Sequence, residues 1–319
     1  MKKTLSKVAV VAVALLLLSS VLAMGAGEPE VDPDRVTVGL TLPSLGHPFF
    51  IHLQNNVMME ADELDVEVLA LDANNETARQ MSIVEDFIAR GVDAVLMSPI
   101  GADALVPAVE ELNAVDIPVA TVDRAVADGD VLVHLGADNI EGGRVAGEYL
   151  IEALDGSGRV LELEGTPGAT PAIERADGFH EVIEDTDIEV LASVTAEFDR
   201  AQGQSVMEDL IEAHGEFDGV FAANDEMALG AIEAIEAAGI DLDDVVIVGY
   251  DAIPDALSYM EEGRLDATVE QFPGEQARVA LNYLYEYVQD GVAPPGNEHY
   301  IAPVIITPDN IDEAEDKVE

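Results

Sequence analysis

The chain of 319 residues contains no cysteine and no tryptophan, and it has very few cations. The absence of cysteine excludes a disulfide framework, a thiolate nucleophile and a cysteine-based zinc site. Lysine occurs only at Lys2, Lys3, Lys7 and Lys317, and 14 Lys and Arg residues face 65 Asp and Glu residues, for a formal net charge of −51. Such a surface repels nucleic-acid phosphates, which excludes nucleic acid as a partner, and it disfavours docking on anionic lipid headgroups.

Hydrophobic residues nevertheless make up 49% of the chain, which separates it from acidic disordered proteins. At about 150 residues per domain, the length predicts two domains, each with its own core. An acidic body with almost no lysine also predicts adaptation to high salt, where carboxylates hold water and counterions. An ordinary acidic secreted protein is the alternative.

The first segment has the pattern of a secretory signal peptide. Three lysines precede an apolar run over residues 8–22, and small residues follow the run. The run is shorter than the roughly 20 apolar residues that span a membrane, which disfavours a permanent anchor. We therefore expect a signal peptide over residues 1–26, a flexible leader over residues 27–34, and a mature protein that works in the periplasm or outside the cell.

From residue 36 onward, short apolar runs alternate with amphipathic helical stretches. Several runs are continuous and β-branched, as in strands that are buried on both faces of a parallel sheet. So many strands predict an α/β fold with two doubly wound domains rather than one sheet. The predicted strands are 36–42, 66–71, 94–97, 119–122, 132–135, 160–163, 189–194, 219–222, 245–248 and 267–269, and the predicted helices are 55–64, 77–90, 104–114, 142–154, 201–214 and 227–238.

Polar and aromatic residues follow the predicted strands, where sheets of this kind bind ligands. For any single position, an ordinary polar loop is the alternative. Asp123 and Arg124 are the most informative pair, because two opposite charges directly follow the buried run 119–122, where an isolated charge is costly. A carboxylate and a guanidinium together satisfy ligand hydroxyls, which both donate and accept hydrogen bonds.

Seven segments at these loops share their type and order with one protein family. They are HPFF at 47–50, VDRA at 122–125, ERADGF at 174–179, EFDR at 197–200, NDEMALGA at 224–231, VGYDA at 248–252 and Gln271. In these segments the chain resembles the periplasmic sugar-binding proteins of ABC importers, above all the D-ribose-binding type. The similarity runs from about residue 36 to about residue 307, essentially the whole predicted mature chain.

The resemblance implies a type I periplasmic binding protein, in which two doubly wound Rossmann-like lobes are joined by a three-strand hinge and close on one monosaccharide. The crossovers would fall near Ala137, Gln271 and Ala302. The N-terminal lobe would hold residues 35–137 and 272–302, and the C-terminal lobe residues 138–271 and 303–319.

Carried over residue by residue, the resemblance implies that Asp123 and Arg124 bind sugar hydroxyls from the N-terminal lobe. The C-terminal lobe and the hinge would contribute hydroxyl-binding side chains, and three phenylalanines would cover the apolar faces of the sugar ring. The hydroxyl-binding residues are Arg175, Asn224, Asp251 and Gln271, and the phenylalanines are Phe49, Phe50 and Phe198.

Three positions depart from the pattern of ribose binders. His47 and Ser98 stand where that type usually has Asn, and Tyr250 stands where it has Phe. We expect His47 and Ser98 to change the hydroxyl pattern that is recognised, and Tyr250 to add a hydroxyl contact. Monosaccharide is therefore the predicted ligand class and ribose the leading candidate, while a hexose, inositol or a furanosyl signal stays open.

The expected partners are the monosaccharide and an ABC permease, and a chemoreceptor or sensor kinase is the alternative. A monomer without cofactor or metal is expected, because the six histidines show no metal-ligand spacing and no phosphate-cradling glycine loop occurs. An enzyme acting on sugars, with Asp123 and Asp251 as acid and base, is the third and disfavoured interpretation.

Overall fold

Two parallel sheets organise residues 35–318, the part of the chain that the computed structural model describes. The predicted signal peptide (1–26) and leader (27–34) lie outside the described residues. In chain order the strands are β1 (Thr37–Leu42), β2 (Glu67–Asp72), β3 (Ala94–Met97), β4 (Val119–Val122), β5 (Val133–Ala137), β6 (Ser157–Glu164), β7 (Asp187–Thr195), β8 (Gly219–Ala222), β9 (Val246–Val248), β10 (Thr268–Glu270), β11 (Glu298–Ile301) and β12 (Val304–Ile306).

Helices follow most of the strands and cover both sheets. They are α1 (Pro48–Leu64), α2 (Thr77–Arg90), α3 (Val106–Ala114), α4 (Asn139–Ala153), α5 (Thr170–Ile183), α6 (Arg200–His214), α7 (Asp225–Ala237), α8 (Pro254–Glu261), α9 (Pro273–Asp290) and α10 (Glu315–Val318).

The two sheets have matching topology. The six-stranded sheet has the order β11-β5-β4-β3-β1-β2 and the four-stranded sheet the order β7-β6-β8-β9, with every neighbouring pair parallel. In both sheets the first strand of the lobe lies between the second and the third, so the strand order reverses there. This reversal opens a crevice at the carboxyl ends of the strands, where doubly wound sheets bind ligands.

Each sheet is buried on both faces. In β3, Ala94 and Leu96 join the core that contains Phe50 and Leu281, whereas Val95 and Met97 join a separate core under α2 and α3. Successive residues of a strand point to opposite faces, so two apolar layers require a continuous hydrophobic run. This explains why the predicted central strands agree with the structure to within a few residues. The predicted α/β fold with two doubly wound lobes is confirmed.

The chain passes between the sheets at three places. It leaves the six-stranded sheet after β5 and enters α4, which packs on α5 beside the four-stranded sheet. It returns after β10 through α9, which packs on α1. After β11 it crosses again, and β12 pairs antiparallel with β10. We call the six-stranded sheet with its helices the N-terminal lobe and the four-stranded sheet with its helices the C-terminal lobe.

Candidate functional site

A small cavity lies between the lobes, at the carboxyl ends of both sheets. Most of the side chains that line it are buried. Both lobes and the hinge supply side chains to it, so the cavity exists only when the lobes face each other. The lining residues are His47, Phe49, Phe50, Asp123, Arg124, Pro171, Arg175, Phe198, Asn224, Asp251 and Gln271.

Asp123 and Arg124 enter the cavity directly after β4. Asp123 has a φ of 64°, in the left-handed region that non-glycine residues rarely adopt. The backbone is held there because Asp123 N–H donates to Leu135 O and Arg124 N–H donates to Val122 O. Such local strain is typical of functional sites.

Burial raises the pKa of Asp123, against the opposing effect of the Arg124 and Arg175 charges. Nε of Arg124 lies 3.5 Å from Oδ2 of Asp123, and the Arg124 side chain also donates through Nη1 to Ile100 O at 3.2 Å. Within the described residues, Nε of Arg124 is buried without a hydrogen-bond partner. The pair therefore places a carboxylate beside a guanidinium N–H that makes no hydrogen bond.

Arg175 comes from the first half of α5 and is held by several groups of its own lobe. Its Nε donates to Oδ1 of Asn139 at 2.9 Å and its Nη1 to Ala223 O at 2.7 Å. Nη1 also lies 3.5 Å from Oδ1 of Asp251, and the guanidinium lies 3.5 Å from the centre of the Tyr250 ring. These contacts fix the direction of a buried cation that faces the cavity.

Asp251 and Gln271 form the hinge side of the cavity. Gln271 donates through Nε2 to Oδ1 of Asp251 at 2.6 Å, while Oε1 of Gln271 is buried and finds no partner among the described residues. Burial raises the pKa of Asp251 to about 7, with Arg175 lowering it and Asp123 raising it further. Gln271 Oε1 is therefore an unused acceptor beside a carboxylate that titrates near neutral pH.

His47 and Asn224 meet across the cleft at the N-termini of two helices. Asn224 caps α7, because its Oδ1 accepts from Met227 N–H at 3.0 Å, and this leaves its Nδ2 to face His47 Nε2 at 3.0 Å. On the other side of the ring, Nδ1 of His47 lies 3.3 Å from Phe49 N–H.

Both ring nitrogens of His47 thus face hydrogen-bond donors, and a protonated ring carries N–H groups at both positions. Burial, followed by repulsion from Arg124 and Arg175, lowers the pKa of His47 to about 4. The ring is neutral at physiological pH and has one acceptor nitrogen, so it accepts either from Phe49 N–H through Nδ1 or from Asn224 Nδ2 through Nε2.

Three phenylalanines form the apolar walls of the cavity. Phe49 and Phe50 lie in the first turn of α1, with ring centres 5.1 Å apart in an edge-to-face arrangement. Both rings are buried in the N-terminal core and also line the cavity. Phe198 comes from the other lobe and has a φ of 60°, another non-glycine residue in the left-handed region.

The structure places two predicted site residues behind the lining rather than in it. Oγ of Ser98 donates to Oδ2 of Asp123 at 3.1 Å, and the hydroxyl of Tyr250 faces Oδ1 of Asn139 at 3.4 Å. Both side chains are buried. Ser98 contacts Asp123 and Tyr250 contacts Arg175, and these two charged residues line the cavity. Tyr250 contacts Arg175 and is not among the residues that line the cavity, and its expected hydroxyl contact with the ligand stays a prediction.

The cavity also contains one residue that the sequence did not single out. Pro171 lies at the start of α5, where proline is common because its missing N–H costs the helix nothing. Because proline is common at helix starts, nothing in the sequence marks Pro171 as a residue of the cavity.

Among residues 35–318, no cluster of three or more His, Asp or Glu side chains is arranged to hold a metal ion. The same part of the chain contains no helix that is both long and apolar enough to cross a membrane.

Comparison with known proteins assigns the family. Residues 38–291 match the model of the periplasmic binding protein domain. The chain is 39% identical to the ribose import binding protein RbsB of Bacillus subtilis over 275 residues, which cover 86% of this chain and 89% of that one. It is 38% identical to RbsB of Escherichia coli, with coverage of 82% and 88%.

A solved structure shows the same fold. The Caulobacter myo-inositol binding protein bound to myo-inositol superposes with a TM-score of 0.85 at 32% identity and covers 89% of this chain and 97% of that one. The chain thus belongs to the periplasmic binding protein family.

Proposed function

We propose that this protein is an extracytoplasmic binding protein that closes on one monosaccharide and delivers it to an ABC importer. The observation that carries the proposal is the pair of unused polar atoms at the cavity. Nε of Arg124 is a buried donor and Oε1 of Gln271 a buried acceptor, and neither makes a hydrogen bond within the described residues. Leaving such atoms unsatisfied costs about 1–3 kcal/mol each, so the site favours a ligand that both donates and accepts.

Sugar hydroxyls both donate and accept hydrogen bonds, as the site requires, and the phenylalanine rings suit the apolar faces of a sugar. Each hydroxyl offers one donor and two acceptor positions, which suits a lining of carboxylates, guanidinium groups and amides. The C–H faces of a sugar ring fit the apolar walls formed by Phe49, Phe50 and Phe198. The small size of the cavity favours a single sugar ring over a larger ligand.

Within the monosaccharides we propose ribose or a sugar with a ribose-like hydroxyl pattern. The relatives at 38–39% identity are named for ribose import, which supports this choice. The Caulobacter structure holds myo-inositol instead, so relatives of this fold differ in ligand. The alternative ligands are therefore a hexose, an inositol or a furanosyl sugar.

Closure would follow from the division of the lining between the lobes. We propose lobe boundaries of 35–137 plus 272–302 and 138–271 plus 303–319, supported by the three places where the chain changes sheet. Only the closed arrangement lets Asp123 and Arg124 act on the same ligand as Arg175 and Asp251. A ligand that contacts both sides shifts the population toward the closed state.

Family membership makes this chain a binding protein rather than an enzyme. We propose that residues 1–26 direct secretion, that the mature protein acts as a monomer in a saline environment, and that an ABC permease receives the ligand. Delivery to a chemoreceptor or sensor kinase is the alternative. Calorimetric titration with D-ribose tests the proposed ligand. Saturable 1:1 binding that is lost on Asp123→Ala supports it, and the absence of heat with every monosaccharide contradicts it.

A further inference from the structure

The segment that follows β3 contacts both charged residues that the N-terminal lobe contributes to the cavity. Oγ of Ser98 donates to Oδ2 of Asp123 at 3.1 Å, and the carbonyl oxygen of Ile100 accepts from Nη1 of Arg124 at 3.2 Å. A guanidinium is planar and rigid, so a bond at Nη1 also limits the direction in which Nε–H points. The conformation of residues 98–100 therefore governs how Asp123 and Arg124 face the cavity.

Gln80 anchors this segment to the neighbouring helix. It lies in α2, is fully buried and is not among the residues that line the cavity. Its Nε2 donates to Ser98 O at 2.8 Å, and its Oε1 accepts from Ile100 N–H at 3.0 Å. Pro99 lies between the two and has no N–H to donate. One side-chain amide thus satisfies a carbonyl and an N–H that lie two residues apart, as buried backbone groups require.

We propose that Gln80 is a positioning residue for ligand binding, which acts through residues 98–100 on Asp123 and Arg124. The inference rests on the proposed sugar-binding function and deepens it. Without the amide, Ser98 O and Ile100 N–H lose a buried partner, and the segment changes its conformation to find others. Asp123 and Arg124 then lose the contacts that direct them, and even a small misplacement of such groups weakens their action on a ligand.

Two substitutions at position 80 separate positioning from general stability. Gln80→Met keeps the length of the side chain and removes both hydrogen bonds. Gln80→Glu keeps an acceptor for Ile100 N–H, and burial raises the pKa of a carboxyl at this position. In its protonated form a carboxyl both donates and accepts, as the amide does. Rescue of the affinity by Gln80→Glu at low pH is therefore expected only if the two hydrogen bonds of Gln80 set the affinity.

Calorimetry measures dissociation constants with whichever of D-ribose, D-allose, D-galactose and myo-inositol the wild type binds most tightly. Relative to the wild type at the same pH, we expect Gln80→Met to bind about tenfold more weakly, and Gln80→Glu to bind within about threefold at pH 5. Val84→Ala is the control, because Val84 is buried in the same helix and has no polar side-chain atom. It should lower the thermal midpoint but leave the affinity within about twofold of the wild type.

A double-mutant cycle tests the route through the charged pair. Combined with Arg124→Met, Gln80→Met should weaken binding by about threefold or less, because the guanidinium that Gln80 positions is already gone. Combined with Asp251→Asn, the loss should stay near about tenfold, since Asp251 is held by Gln271 of the hinge instead.

A Gln80→Met variant that binds as tightly as the wild type overturns the positioning role of Gln80 and leaves the proposed function standing. So does a Gln80→Glu variant that is as weak as Gln80→Met at pH 5, or a tenfold loss in both backgrounds of the cycle. If Gln80→Met folds poorly, Gln80→Glu alone decides. Its affinity relative to the wild type should then fall by about tenfold from pH 5 to pH 8, as ionisation removes the donor to Ser98 O, and a constant ratio overturns the inference. A wild type that binds no monosaccharide overturns the proposed function itself and this inference with it.

Discussion

Gln271 donates a hydrogen bond of 2.6 Å from its side-chain amide to Oδ1 of Asp251, and so links the hinge to a charged residue of the cavity. Gln271 lies between β10 and α9, where the chain passes from one lobe to the other. Its backbone N–H donates to Oε1 of Glu270, which fixes the same turn. A change in the charge of Asp251 therefore acts on the segment that connects the two lobes.

Sugar affinity should fall as the pH is lowered from about 8 to about 6, because Asp251 has a raised pKa of about 7. Protonation converts the Asp251 carboxylate, which accepts from Gln271 and lies beside Arg175, into a neutral acid. A neutral acid binds hydroxyl donors more weakly. Calorimetric titrations across this range measure the effect. Asp251→Asn should bind more weakly at all pH values and lose this pH dependence; an equal dependence in both proteins contradicts the assignment.

The same residue should act on stability with the opposite sign. The folded-state pKa of about 7 lies above the unfolded value of about 3.9, so proton binding by Asp251 favours the folded state. This contribution is fully present below about pH 3.9 and is lost as the pH rises through about 7.

The free energy of unfolding of Asp251→Asn relative to the wild type should therefore rise between about pH 5 and pH 8. Urea unfolding without ligand measures this difference, and a constant or falling difference contradicts the prediction. The comparison with the variant cancels the effects of His47 and His134, whose pKa values are both lowered to about 4 by burial.

Asp123→Ala should weaken sugar binding by about 100-fold or more while the protein stays folded, since hydrogen bonds to charged groups contribute about 1.5–3 kcal/mol each and 1.4 kcal/mol corresponds to tenfold. The substitution also removes the acceptor of Ser98 and the neighbour of Arg124 Nε. Asp62→Ala, at an exposed position of α1, is the control. Calorimetry that finds the two variants equal in affinity would show that Asp123 is not a ligand contact.

Glu315→Ala should lower the free energy of unfolding by about 0.5–2 kcal/mol, the usual effect of losing a helix cap. Oε2 of Glu315 accepts from Gly274 N–H at 2.7 Å and Oε1 from Glu275 N–H at 3.0 Å, at the start of α9. Burial alone would raise the pKa of Glu315, but its hydrogen bonds with His52 and Gly274 lower the pKa overall. Urea unfolding measures the change, with exposed Asp312→Ala as the control; equal stability of the two variants contradicts the capping role.

The midpoint of thermal unfolding should rise steadily as NaCl is increased into the molar range. Without the predicted signal peptide the chain carries 65 acids against 11 Lys and Arg, a formal charge of about −54, and repulsion at this density destabilises the compact state. Salt screens that repulsion. Differential scanning calorimetry checks the prediction, and a midpoint that stays constant or falls with NaCl contradicts salt adaptation.

The central strands could be predicted from the sequence because burial on both faces demands an unbroken apolar run, as at 94–97 and 119–122. The strands that were not predicted, β11 and β12, are not buried on both faces and therefore need no unbroken apolar run. β11 pairs on one side with β5 and reads Glu-His-Tyr-Ile, mostly exposed, while β12 is a short hinge strand. Helix α1 begins at Pro48 rather than at residue 55, because the entry of the chain is set by the His47 cap and the proline.

Most residues of the cavity lining could be predicted, since they follow strands and match a known order of segments. The contacts of Ser98 with Asp123 and of Tyr250 with Arg175 could not be predicted, because such contacts depend on three-dimensional packing. The contact between His47 and Asn224 was also invisible in the sequence. It joins residues 177 positions apart that belong to different lobes.

The measurement that tests the central claim most directly is a titration of the purified protein with D-ribose, D-xylose, D-allose, D-galactose and myo-inositol in molar salt. Isothermal calorimetry should show saturable 1:1 binding of at least one of these ligands, and the same ligand should raise the thermal midpoint through preferential binding to the folded state. Neither heat nor a thermal shift with any of them would contradict the assignment of this cavity as a monosaccharide site.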